Sequence, residues 1–447
     1  MNKLQIILLT IFGVVGVVAV LMFAGILPGF KDAGPGEGKG VELLMWGTFP
    51  AEKIKPLISK INDDNQKVFK ISYTEKDPLE YEGELVNAMA AGSGPDIWVL
   101  TPDMIFKEKD KVAVITSVSY QERDFKDAFI DSASVFMKKY GTETDPTGIF
   151  GVPLAVDPIV LYWNKDLFSS AGVAKAPVYW DEFLTNVHAL VKTDEAGNIT
   201  QAGAAMGEFK NVKNAKDILS MLILQTGNSI LELGEKIKIS FGEKGNRLIN
   251  PTENAVKFFN EISNPNKTSY SWNEALPNSE IMFTNGLLAM YFGYAGEIGN
   301  IKQKNPHLNF DLANVPQIRS GDSLSGIKAT YGKIYSLAIS KNSTKKQTAL
   351  TAIISMSGPD FSKVFSESFR LGSARRDVLQ GGSSDPILSI VYKSAIMSRT
   401  WLEPDSTEVY GIFKNMIESI ITGRVKVSDA VNYASKQLKG LTYDDQN

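Results

Sequence analysis

Cysteine is absent from the 447-residue chain, which excludes disulfides, thiolate metal sites and cysteine nucleophiles together. The absence suits an oxidising exterior but names no compartment. Histidine is nearly as scarce: His188 and His307 are the only two and stand in unrelated contexts, which argues against a zinc site or a histidine-based triad. No metal or other cofactor is expected. Nor does one charge dominate. Lys+Arg 47 against Asp+Glu 50 leaves a net charge of −3 with both signs interspersed, and without a basic stripe nucleic acid is not an expected partner. No internal repeat is visible. What is present describes an ordinary globular body, 43% apolar and 22% charged. Its length predicts two or three compact units or one large bilobed one.

One long apolar run exists, at residues 6–27, where Thr10 is the only polar interruption. A helix rising ~1.5 Å per residue over that run spans a bilayer core. Lys3 precedes it, so the positive-inside rule places the N-terminus in the cytoplasm and the body outside. A cleaved signal peptide is the competing reading, with Val17-Val18-Ala19 as a small-residue site, but the run continues past it. An uncleaved single-pass anchor in the cell membrane is favoured. Residues 28–40 then form a tether with Gly at 29, 34, 36, 38 and 40.

From residue 41 the pattern becomes strand, helix, strand, helix, strand: 41–46, 54–61, 69–74, 79–91 and 95–100. That is a mostly parallel α/β sheet, and ligands of such sheets bind beyond the carboxyl ends of the strands. Trp46-Gly47-Thr48 and Thr101-Pro102-Asp103 occupy those ends. A helix carrying Phe125, Phe129, Phe136 and Met137 on one side is predicted next. Residues 148–168 read as a long extended run that places one acid, Asp157, among apolar neighbours, a costly arrangement unless the carboxylate is satisfied. It is either a paired core acid or a group for a hydroxyl-rich ligand. The elements that follow are too many for one sheet. Two lobes are predicted, with crossings near 150–156 and 310–317.

Aromatic loops beside lone polar residues suit sugar binding, because a pyranose offers a C–H face to an aromatic ring and a rim of hydroxyls to Asp, Asn and Arg. Trp46, Trp272, Tyr294, Tyr331 and Trp401, with Asp103, Asp157 and Arg375, are the candidates. Each aromatic taken singly also fits plain packing.

Gly94-Pro95-Asp96-Ile97, Gly151-Val152-Pro153-Leu154 with Asp157, and 161–168 (LYWNKDLF) resemble the extracellular solute-binding proteins of ABC importers, in their maltose-binding-like, carbohydrate-binding branch. Trp180-Asp181-Glu182-Phe183 and 283–290 (FTNGLLAM) follow in that family's order, and the resemblance covers roughly 41–440. It implies a bilobed periplasmic-binding-protein-like fold, with lobe 1 near 41–153 and 318–376 and lobe 2 near 154–317 and 377–447. It also implies a monomeric receptor, not an enzyme, that delivers a mono- or oligosaccharide to permease subunits. By the same resemblance Asp157 and Asp103 contact hydroxyls, and Trp46 and Thr48 line the cleft. Tyr294 stands where the family's platform usually has Trp, and Tyr410 competes with Trp401 as a stacking residue. Two alternatives remain at this stage: an exported glycosidase using two carboxylates, and a binder of a peptide or polyamine.

Overall fold

The computed structural model describes residues 40–138, 147–233, 237–319 and 327–442. The expected anchor at 6–27 and the tether up to residue 39 lie outside them. Among the described residues no helix is long and apolar enough to cross a membrane.

Strands β1 (Val41–Gly47), β2 (Phe69–Glu75) and β3 (Ile97–Leu100), with helices α1 (Ala51–Asp64) and α2 (Tyr81–Ala90) between them, open the chain. β1 pairs in parallel with both β2 and β3, the arrangement that helical crossovers enforce. α1 buries Ile54, Ile58 and Ile61 on one stripe, while all four residues of β3 are buried, as in a strand covered on both faces.

The helix predicted across 122–137 is not continuous. A short helix, Glu122–Ala128, gives way at Phe129, whose backbone is extended and bridges Arg375. Ile130 N then donates to Ala374 O at 3.0 Å, and a 3-10 turn follows over Asp131–Phe136. A tertiary backbone contact outweighs the helical spacing of the phenylalanines.

β4 (Val152–Asn164) is the long strand on which the two half-sheets meet. Beyond it come α3 (Trp180–Leu190), β5 (Ile199–Ala204), α4 (Ala215–Gln225), α5 (Pro251–Glu261), β6 (Leu288–Tyr294), β7 (Phe310–Ala313) and β8 (Thr330–Ile339). The first half of β4, through Pro158, pairs antiparallel with β8, and β8 in turn pairs with β3. From Ile159 to Trp163 β4 pairs instead with β6, and its end pairs with β7. The change of partner falls at Pro158, which has no N–H to give to a ladder. The order β2-β1-β3-β8-β4-β6-β5 therefore runs unbroken through both lobes of an α/β bilobed body.

The chain crosses again at the start of β8, since Pro316 and Ala329 before it both accept from Gln225 of α4, and a third time after α6 (Lys346–Met356), α7 (Pro359–Phe369), β9 (Gly372–Ser373) and α8 (Pro386–Met397). The third crossing is β10 (Ser398–Arg399), which pairs with Thr330 and Tyr331 of β8. α9 (Ser406–Ile421) and α10 (Val427–Gly440) end the described chain, α9 burying Val409, Ile412, Phe413, Met416 and Ile417.

Candidate functional site

The three crossings place polar residues from five separated segments around one small cavity of about 80 Å³. Asp103 follows β3. Lys216 and Asp217 form the first turn of α4. Tyr294 ends β6, Tyr331 and Lys333 lie near the start of β8, and Thr400 and Glu403 follow β10. Short bonds knit this wall. Lys216 Nζ lies 2.5 Å from Glu403 Oε2 and 3.7 Å from Asp217 Oδ1. Tyr294 Oη donates to Asp217 Oδ2 at 2.8 Å, and Tyr331 Oη to Glu403 Oε1 at 3.3 Å. At the rim, Lys107 Nζ meets Asp405 Oδ2 at 3.0 Å.

Lys333 differs from these groups. Its ammonium makes no hydrogen bond or ion pair among the described residues, and it lies 5.8 Å from the Tyr335 ring centroid. Burial opposes its charge, but the fields of Tyr335, Asp103, Asp217 and Asp157 hold its pKa above the ordinary lysine range. Burial likewise works against an ionised Asp103, and there Lys333, a hydrogen bond from Thr101 and Lys216 prevail and lower its pKa.

Asp157 sits at the strand's change of partner and is 8% exposed. Gly296 N donates to its Oδ1 at 2.9 Å. Burial nevertheless pushes its carboxyl up to about 7, with Glu297 adding to the rise and the Gly296 bond and Lys333 opposing it. Burial also brings Glu403 to about 7, against the pull of Lys216. A Cβ on Gly296 would come within 2.8 Å of Asp157 Oδ2, so glycine is what allows this close approach.

A second polar layer fixes the wall from behind. Glu297 accepts from Tyr291 Oη at 2.6 Å, Lys213 Nζ at 3.0 Å, Asn214 Nδ2 at 3.0 Å and Tyr294 N at 3.1 Å. Lys213 also reaches Glu280 at 2.9 Å. Asn214 adopts left-handed backbone, φ 62°, just before α4, so these bonds set where the helix starts and where Lys216 and Asp217 project.

The sequence candidates fall in several places. Asp103, Tyr294 and Tyr331 line the cavity, and Asp157 lies against Gly296 behind it. Trp401 neighbours Thr400 but is 3% exposed, stacked on Phe413 with centroids 6.4 Å apart; its indole N–H is buried without a hydrogen-bond partner among the described residues. Trp46 is half-buried, with Lys76 Nζ 3.9 Å from its ring centroid. Thr48, at the bend after β1, is half-buried too. Neither lines the cavity. Trp272 is fully buried and donates to Asn211 Oδ1 at 2.9 Å. Arg375 is held by both oxygens of Asp377, at 2.9 and 2.6 Å. Tyr410, 42% exposed, donates to Phe209 O at 3.3 Å.

Lys216, Asp217, Lys333 and Glu403 are wall residues the sequence candidates omit. Each left a trace: a charged pair opening an otherwise apolar helix, a lone lysine in an apolar strand, and an acid just before Pro404. A larger cavity of about 430 Å³ opens on one lobe only, beside Asp96 and Lys345. Its buried acid is already engaged, since Asp96 accepts from Leu44 N at 3.0 Å, Ser343 Oγ at 2.7 Å and Lys345 Nζ at 3.1 Å. That is the pattern of a structural group.

Comparison with known proteins gives the following. The profile of the family described as bacterial extracellular solute-binding protein matches residues 57–388. A binding protein of Brucella abortus is 23% identical over 274 residues, 60% of this chain and 59% of the relative. The match thus spans about three-fifths of that relative's length. Among solved structures, the cyclic α-maltosyl-1,6-maltose binding protein of Arthrobacter globiformis superposes with a TM-score of 0.72 at 17% identity, covering 91% of this chain and 100% of that one. The sugar-binding protein of Xanthomonas citri gives 0.69 at 17% identity, over 91% and 98%. Likeness at this level of identity establishes the fold.

Proposed function

The chain belongs to the bacterial extracellular solute-binding proteins, and from that premise we propose that it closes two lobes on a carbohydrate and hands it to the permease of an ABC importer. Membership makes it a binding protein rather than an enzyme and puts its bulk outside the cytoplasm. The observation that carries the carbohydrate reading is the wall of hydroxyl-binding groups drawn from both lobes: Asp103, Lys216, Asp217, Tyr294, Tyr331, Lys333 and Glu403. Carboxylates, ammoniums and phenols alternate there, as a ring of hydroxyls that both donate and accept requires. Two similar folds carry names that include maltose or sugar binding, which supports the same class. Asp157 completes the site from behind, and its second oxygen is the group a small shift of the Gly296 loop would offer.

Solute bound across the cleft stabilises the closed arrangement at the expense of the open one. Adding the right sugar therefore raises Tm and changes tryptophan fluorescence. A folded protein that responds to no member of a broad sugar panel would refute the reading. The run at 6–27 anchors the chain as a single membrane pass in this proposal, and resistance to carbonate extraction of membranes is its test. The lobe limits and the monomeric state belong to the same proposal; the crossings at Pro158, at the start of β8 and at β10 favour limits of 41–158 with 330–397 and 159–329 with 398–447 over the expected 41–153 with 318–376 and 154–317 with 377–447. Limited proteolysis and light scattering test those two.

A further inference from the structure

The cavity's size, charge and rim narrow the solute further than its class, given the carbohydrate reading on which this step rests. We infer that the site takes a single-ring or open-chain polyol without a carboxylate or phosphate, gripped at its hydroxyls rather than stacked as part of an oligosaccharide.

Three observations carry this. First, the room is small. The cavity of about 80 Å³ compares with ~150 Å³ for a cavity that holds one benzene ring. A slight parting of the lobes admits one sugar ring, whereas three rings need several times the space. Lys107 and Asp405, close in sequence to Asp103 and Glu403 of the wall, also bridge the lobes. Second, no tryptophan lines the cavity. Trp401 is spent on Phe413 and the Trp46 ring is covered by Lys76. The two tyrosines present are tied through their hydroxyls to Asp217 and Glu403. Selectivity then rests on hydroxyl contacts, for which Lys333 Nζ is an uncommitted donor and Asp103 an acceptor.

Third, the cavity holds no spare positive charge. Its two ammoniums, Lys216 and Lys333, already face Asp103, Asp217 and Glu403, with Asp157 close by. Lys216 is already paired with Glu403, and Lys333 lies in the field of the other three acids. A ligand carboxylate or phosphate would bury a charge with no unmatched cation to receive it, since no arginine lines the cavity.

The test is thermal unfolding of the full-length protein in detergent with three groups of probes at equal concentration. The first contains neutral monosaccharides and hexitols (glucose, galactose, mannose, fructose, xylose, mannitol and sorbitol). The second contains glucuronate, galacturonate and glucose 6-phosphate, and the third maltotriose and maltotetraose. At roughly a hundredfold excess over Kd, at least one neutral probe of the first group raises Tm by several degrees, and the other two groups do not. A larger shift with maltotriose, maltotetraose or any anionic probe overturns the inference while leaving the carbohydrate reading intact. No shift with any probe overturns both. Lys333→Met is expected to abolish the shift with the effective probe. Where that variant does not fold, Asp103→Asn serves, and retention of the full shift in a folded variant counts against the inference.

Discussion

Asp157 makes a prediction at the scale of a single carboxyl. An unfolded aspartate titrates near 3.9, whereas burial brings this one to about 7 in the fold. Between those values the folded protein keeps a proton that the unfolded chain releases. Stability is therefore highest at the acid end of the window and falls as pH rises through it, by up to ~1.4 kcal/mol per pH unit for one group. Glu403, also at about 7, adds a slope of the same sign. Asp157→Asn keeps an acceptor for Gly296 N and removes the charge, so its Tm should exceed that of wild type above pH 7 and change less between pH 5 and 7.5. Parallel melting profiles would contradict this. Gly296→Ala is the steric counterpart. Its Cβ meets Asp157 Oδ2 at 2.8 Å and Leu371 Cδ2 at 3.2 Å, and overpacking of that kind costs ~1–3 kcal/mol, read as a lower denaturation midpoint. Residue type, position at or within a strand and the family resemblance bring Asp103, Asp157, Tyr294 and Tyr331 to notice in the sequence. Nothing there shows Lys333 facing the first two, because the meeting of segments so far apart in sequence is a property of the folded chain. Trp272 shows the converse. It stands in a polar-looking loop, yet its indole finds a partner 61 positions away and lies in the core.

At the scale of the element, α9 begins at an acid with two tasks. Asp405 accepts from Thr407 N at 2.9 Å and Glu408 N at 3.0 Å as an N-cap, and it also pairs with Lys107. Asp405→Ala should cost ~1 kcal/mol of stability through the lost cap. Asp405→Ser should restore most of that while still lacking the interlobe pair, and chemical denaturation of the three proteins separates the tasks. Regular elements were the most legible feature of the chain. The strands at 41–46 and 69–74, the long run through 148–168 and the C-terminal helices follow from the spacing of their apolar residues. The stretch after Ala128 does not, since its conformation is set by backbone contacts to Ala374 and Arg375, which leave no local periodicity to read.

For the whole molecule, the balance between open and closed forms decides affinity. The Lys107–Asp405 contact is about two-thirds shielded on each side chain, so it contributes in the range of partly exposed pairs, ~0.2–1 kcal/mol. Lys107→Ala should therefore weaken solute binding by roughly 1.4–5-fold. It should also reduce the sensitivity of affinity to salt and enlarge the radius of gyration without solute, as measured by small-angle scattering. An unchanged affinity and salt dependence would remove this contact from the closure balance. Which lobe each segment joins is only partly written in the sequence. The change of partner at Pro158 depends on β6 and β8 arriving on the same strand from opposite lobes.

That shared strand has a mechanical consequence. β4, the start of β8 and β10 join the lobes side by side, like the leaves of a flat spring. Such a joint bends easily across its plane and resists shear and twist within it. Lobe motion is thereby confined to nearly one degree of freedom. Two spectroscopic labels placed anywhere across the mouth of the cleft would report the same coordinate, and neither lobe can be produced alone by cutting the chain at a single point.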